Sequence, residues 1–127
     1  MEEKKKFFMN CHLAGRMYHD ADEVWSNLKI GTLLKLQREM DNRYDPDAVK
    51  VLYHNEDDGQ DYCIGYIPRE DNDDIASFLE MGWTGIFECR ISRIINEAHP
   101  EHQVLLTIKI KSSHICDMKP DQKNELK

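Results

Sequence analysis

Apolar and polar positions alternate in six short runs of this chain, and apolar residues recur at helical spacing in one longer segment. Phe7, Met9, Cys11 and Leu13 alternate with Phe8, Asn10 and His12 before Gly15, which predicts a first strand. Leu34 and Leu36 face opposite to Lys35 and Gln37, giving a second strand over Thr32–Arg38, and Val49, Val51 and Tyr53 share one face of a third over Ala48–His54. A fourth, Tyr62–Ile67, ends at Pro68, and Gly65 within it marks a bulge or a close approach of backbone. Ile86–Ile95 and Val104–Lys111 are the fifth and sixth; in the last, Leu106, Ile108 and Ile110 alternate with Thr107, Lys109 and Lys111.

The clearest helix lies between Pro68 and Gly82: acids crowd its first turn, where they suit the helix dipole, and Ile75, Phe78 and Leu79 line one face. Trp83 follows and is placed to fold back on the last turn. Asp20 and Glu23 form a weak capping-box pattern ahead of Val24, Trp25 and Leu28, which predicts a short helical turn that stops at Gly31. Six short strands, one clear helix and one short helical turn describe a mainly β protein. With a single helix-length crossover, the pattern favours a small six-stranded OB-like or SH3-like barrel, closed or half-closed, over a βαβ sheet. Residues 1–6 read as a charged lead-in, 7–111 as the domain and 112–127 as a tail without sustained period, expected to lack order past Met118.

The stretch from Arg38 to Val51 organises the chain. Asn42, Asp45 and Pro46 supply a turn, since Asx side chains bond their own backbone and proline presets φ. The third strand follows at once, so Tyr44 and Asp45 are held at the mouth of a sheet, an aromatic face beside a carboxylate acceptor. The same residues also suit a purely structural turn, with Asp45 capping and Tyr44 packing over the strand.

The chain has 127 residues, enough for one core and one site. Apolar content of 40% and charged content of 32% suit a globular protein, and no apolar run approaches the ~20 residues needed to span a bilayer. The first residues make a poor secretory signal, because their short apolar patch is interrupted by Asn10 and His12, so a cytoplasmic location is expected. Net charge of −7 stands against a nucleic-acid partner, which wants clustered Lys and Arg. Eight of the acids, however, fall between Glu56 and Asp74 against the lone base Arg69, which leaves the rest of the domain near neutral.

Cys11, Cys63, Cys89 and Cys116 are far apart with no C-x-x-C pair, which reads as reduced thiols rather than a disulfide or zinc framework. His99 and His102 have ligand-like spacing, but they sit in a polar loop. Asp41, Asp45 and Asp47 lack the mid-loop glycine, closing glutamate and flanking helices of a calcium loop. Phosphate loops, nucleophile elbows and helix-borne zinc motifs are absent, so neither metal nor cofactor is expected, and catalysis is not. Two binding functions remain: nucleic acid, or peptide capture by an aromatic-lined barrel drawing on Tyr18, Tyr44, Tyr53, Tyr62, Tyr66 and Trp83.

Four separated segments favour the first. LAGRMYH (13–19), LKIGTLLKLQRE (28–39), DNRYDPDAVKV (41–51) and IGYIPRE (64–70) together resemble, in order, the HIRAN domain, a small β-rich module found alone and at the N-terminus of helicase-like fork-remodelling proteins. The resemblance covers about Phe7 to Lys111 and implies an OB-like barrel that, in helicase-linked members, captures the 3′ end of single-stranded DNA. It implies that Tyr18 and Tyr44 flank the terminal nucleotide, Asp45 recognises the free 3′ hydroxyl and Arg69 contacts phosphate. It also implies a role in DNA repair or fork processing beside a helicase or nuclease, by a module expected to be monomeric. The chain departs from the pattern in places: Arg43 stands where the signature's first proline is usual, and Met17 where an arginine precedes the first tyrosine, with Arg16 one position earlier. Tyr66 occupies a second basic position in the fourth strand. Arg16, Arg43 and Tyr66 are therefore secondary candidates for the site.

Overall fold

The computed structural model describes residues 4–16 and 19–112; Met17, Tyr18 and the tail beyond Ser112 lie outside the described residues. Strands β1 (Lys5–His12), β2 (Leu33–Arg38), β3 (Val49–Asn55), β4 (Gln60–Tyr66), β5 (Phe87–Ile94) and β6 (Val104–Lys111) form one antiparallel sheet in the order β1-β6-β5-β2-β3-β4. Two short helices, α1 (Ala21–Val24) and α2 (Asp73–Glu80), complete it. The first strand starts at Lys5, so Lys5 and Lys6 of the charged lead-in are already part of the sheet. None of the described helices is long and apolar enough to cross a membrane.

The alternation seen in the sequence decides the faces. Val104, Leu106 and Ile108 of β6 are buried, as are Val49 and Val51 of β3 and Ile91 of β5, and they meet Leu13, Ile64, Ile67 and Ile75 in one core. Full burial of a side chain of this size is worth about 1.5–3 kcal/mol. Helix α2 turns Ile75, Ala76 and Leu79 inward, and Phe78 packs edge-on against Phe87 with centroids 5.9 Å apart. Past its end the Trp83 amide bonds the Phe78 carbonyl at 3.0 Å, which is the expected fold-back. The capping box at α1 does not form: Asp20 contributes its backbone carbonyl to the Glu23 amide and no side-chain bond.

The sheet is mainly β as expected, but it does not close into a barrel. Its edge strands β1 and β4 share no ladder. The residues just past β1 join the β4 edge instead, with Ala14 and Tyr66 exchanging two backbone hydrogen bonds of 2.9 Å and the Asp20 amide donating to the Cys63 carbonyl at 2.9 Å. The chain then turns into α1, whose Ala21 and Val24 are buried, so a connection rather than a strand covers that edge.

Gly65 makes this approach possible. On β4, Val51 pairs with Gly65 and Leu52 with Cys63, which leaves Ile64 as an extra residue and bends the strand toward the Leu13–Ala14 segment. A Cβ on Gly65 would lie 2.5 Å from the Ala14 carbonyl oxygen and 2.8 Å from Leu13 Cδ1. Both the bulge and the close approach inferred from the sequence occur together. Gly65→Ala is expected to lose about 1–3 kcal/mol of stability, the range of overpacked cores, read as a lower urea midpoint with an unchanged slope. A wild-type midpoint would mean that the bridge yields freely.

Candidate functional site

The loop between β2 and β3 is held from its own side chains outward. The Asn42 carboxamide oxygen accepts from the Tyr44 and Asp45 amides, each at 2.9 Å, and Asp45 Oδ1 accepts from the Asp47 amide at 3.0 Å. These are the Asx bonds that the turn composition implies. Asp41 reaches φ 65°, a conformation that aspartate tolerates better than most residues. At the neck, the Glu39 amide donates to the Ala48 carbonyl at 2.8 Å.

Two further sets of bonds tie the loop to the body. On one side the Tyr66 hydroxyl donates to Glu39 Oε2 at 2.5 Å and Asn42 Nδ2 donates to Glu39 Oε1 at 2.7 Å, linking β4 to the turn through one carboxylate. On the other, Asn72 Nδ2 donates to Asp45 Oδ2 at 2.8 Å. Asn72 is 2% exposed and precedes α2, yet its side chain makes no cap hydrogen bond there and instead donates to Asp45. Arg38 bonds the Pro46 carbonyl at 3.0 Å and lies 3.6 Å from Glu80 at the end of α2.

This pinned loop leaves Tyr44 86% exposed beside a half-buried Asp45. Each Asp45 oxygen holds one described donor, and a carboxylate oxygen accepts two, so acceptor capacity remains. Tyr66 packs its ring 4.9 Å from that of His19, and burial together with the Glu39 carboxylate pushes its phenol well above the usual range, keeping it a donor. Arg43 is exposed next to Asp41 and Asn42. Arg69 is exposed in a 3-10 turn and lines a groove of about 490 Å³ with His12, His102 and the acids Glu70, Asp71 and Glu101. Arg16 is turned into the fold: 9% exposed, it pairs with Asp22 at 2.7 Å and lies 4.0 Å over the Trp25 ring. Tyr18 lies outside the described residues. The structure thus joins Asp45 and Tyr66 through bonds made by Glu39 and Asn42, and places Arg69 in the turn that leads to Asn72 and α2. Sequence reasoning passed over Glu39 and Asn72. The only signal for Asn72 was its place as the one neutral residue in an acidic run, where it read as part of a helix start.

Comparison with known proteins bears on this loop and the sheet that carries it. The model of the HIRAN domain matches residues 6–113. The chain belongs to the HIRAN domain family. That family is one of DNA-binding modules rather than catalytic ones. Two crystal structures share the fold. One is a protein from Lactobacillus plantarum, 21% identical, with 87% of this chain and 98% of that one covered and a TM-score of 0.69. The other is the HIRAN domain of human HLTF, 19% identical, with 84% and 78% covered and a TM-score of 0.59. Comparison with curated proteins returns no significant match.

Within this HIRAN domain Cys11, Cys63 and Cys89 are free thiols. Burial pushes the Cys11 thiol up to about 12, with Asp71 and Glu70 adding to the effect, and pushes Cys89 higher still. Among the described residues no group of three or more His, Cys, Asp or Glu is arranged to hold a metal ion. Since the thiolate is the reactive form, alkylation of Cys11 and Cys89 near pH 8 should require unfolding; rapid labelling of either in the native protein would contradict this packing.

Removing the Asn72 amide should loosen the loop. Asn72→Ala leaves Asp45 Oδ2 without its donor, at a cost of about 1–3 kcal/mol. Asn72→Asp should cost more at neutral pH, where two carboxylates face each other, and recover part of that loss in acid as one of them is protonated. Denaturant midpoints and faster amide exchange at Tyr44–Asp47 are the readouts, and unchanged exchange would refute the tether.

Proposed function

We propose that this HIRAN domain binds the free 3′ end of single-stranded DNA at the Asn42–Asp47 loop. Tyr44 stacks on a terminal base and Asp45 accepts from the 3′ hydroxyl. The observation that carries the reading is the contrast within two adjacent residues: an 86% exposed tyrosine on a loop pinned to both β4 and α2, next to a half-buried carboxylate. An exposed aromatic held in place offers a stacking platform worth ~1–3 kcal/mol per base without sequence preference. A carboxylate accepts a hydroxyl proton and repels a phosphate, which is the chemistry that separates a free end from a blocked one. Tyr18 is proposed as the second aromatic and Arg69 as a phosphate contact, both from the family pattern. Arg43, exposed on the same loop, is a further candidate; a cytoplasmic role in repair or fork processing, beside a helicase or nuclease, belongs to the same proposal.

The test varies the hydroxyl. A short single strand with a free 3′ hydroxyl should bind, and the same strand with a 3′ phosphate should bind about five- to hundredfold more weakly, the cost of an unmet buried partner. A blunt duplex should bind worse than the free strand, because its end must unstack. Tyr44→Ala should weaken every strand without moving the thermal midpoint. Asp45→Asn, which keeps an oxygen for the Asp47 amide, should erase the preference for the hydroxyl. Equal binding of all the DNAs would sink end recognition, and binding of none would leave a protein-interaction module in its place.

A further inference from the structure

The cross-strand register gathers cations that the sequence scatters. In β1 and β6, Lys5 stands opposite Lys111 and Phe7 opposite Lys109; in β5 and β6, Glu88 stands opposite Lys109, Arg90 opposite Thr107 and Arg93 opposite Leu105. Directly opposed residues share a face of the sheet, and the buried partners Leu106, Ile108 and Ile91 occupy the other. The outer face of β1-β6-β5 therefore carries Lys5, Lys109, Lys111, Arg90 and Arg93. Glu88 is the only acid among its strand residues.

Glu88 is already engaged, at 2.7 Å from Lys5 and 3.4 Å from Arg90. Lys109, Lys111 and Arg93 form no salt bridge among the described residues. Phe7 is 63% exposed among these cations, and Leu33, paired with Arg90 from β2, is 55% exposed at the border of the face. The face also leads to the loop. A hollow of about 330 Å³ reaches from Lys111 across Leu33 to Lys35, and it shares Lys35, Leu36 and Thr84 with a second hollow of about 480 Å³ that ends at Arg38, the residue that holds the Pro46 carbonyl.

We infer that the outer face of β1-β6-β5 is a second nucleic-acid contact, which takes the phosphate backbone of a single strand as it leaves the loop. Charge complementarity selects this occupant. A net positive face with an exposed aromatic, on an otherwise acidic protein, suits a polyanion that also offers bases to stack. The inference extends the proposed function, since the strand is the one whose end the loop holds, but the two can fail separately.

Binding of an oligothymidine of about 20 nucleotides and of one of about 4, both with free 3′ hydroxyls, is measured against salt for wild type and for a Lys109→Gln, Lys111→Gln, Arg93→Gln triple variant. Wild type should bind the long strand at least tenfold more tightly. The triple variant should lose most of that gain, and its log–log salt slope for the long strand should fall by about two, at ~0.7 per phosphate contact for single strands. Its thermal midpoint, its binding of the short strand and its preference for a 3′ hydroxyl should stay as in wild type. Equal affinity of wild type for both lengths, or a variant with wild-type affinity and slope on the long strand, overturns the inference. Lys109→Glu alone should act in the same direction and decides the matter if the triple variant melts early. Loss of long-strand binding in a protein with no hydroxyl preference would support this face while refuting end recognition.

Discussion

The contact between the Leu13–Ala14 segment and Gly65 is the constraint on which the arrangement of the site depends. Only a residue without a side chain lets the Ala14 carbonyl and Leu13 pack onto β4 there, since a Cβ would come within 2.5 Å of the carbonyl oxygen. The bridge that results fixes Tyr66, which exchanges both of its backbone bonds with Ala14. Tyr66 in turn reaches Glu39, Glu39 holds Asn42, and Asn42 sets the amides of Tyr44 and Asp45. A steric fact at the edge of the sheet is thus carried through three side chains to the tip of a loop that lies elsewhere in sequence.

The polar side chains along this path are costly to bury unless each is paired, and they are paired with one another. Asn72 shows the consequence most clearly. Its side chain makes no helix cap where its position suggests one and serves Asp45, which ties the start of α2 to the loop. Asp45 accordingly fills the structural role of a turn residue, and that role is what holds its carboxylate in place. Rigid placement reduces the ordering entropy that a flexible loop would lose on binding. Tyr44 takes no part in the network through its exposed ring, which leaves it open to a ligand.

The periodic elements were legible in the sequence, and their assembly was legible only in part. Alternation in Val104–Lys111 and the acid-led run before Gly82 located β6 and α2, and Gly65 announced its own bulge. The bulges at Phe8 and Ser92 carry no such mark, because a residue that slips the register there looks like any other in the alternation. Whether the sheet closes was left open for a related reason. Strand count says nothing about whether the two edges meet as a ladder or through a connection, and here Ala14 and Asp20 take the place of a strand partner. Arg16 looked available beside a glycine, but Trp25 and Asp22 arrive from the following turns and enclose it.

Charge was the property least visible along the chain, and it changes most in three dimensions. Counting residues gives an acidic protein with a near-neutral remainder. Pairing the strands instead gathers five cations on one face of β1, β6 and β5, with the acids of 56–61 in the β3–β4 hairpin and those of 70–74 around the start of α2, where Glu70 and Asp71 share a groove with Asn10 and His12. At physiological ionic strength the Debye length is ~8 Å, so exposed charges farther away are largely screened. A strand approaching β1-β6-β5 would then respond to Lys109, Lys111 and Arg93 close at hand far more than to the total of −7. Net charge alone is therefore no objection to nucleic-acid binding in this fold. What it sets instead is direction, because the hairpin, whose Asp61 engages Lys35 at 3.1 Å while Glu56, Asp57 and Asp58 add further negative charge, disfavours a phosphate backbone beside it.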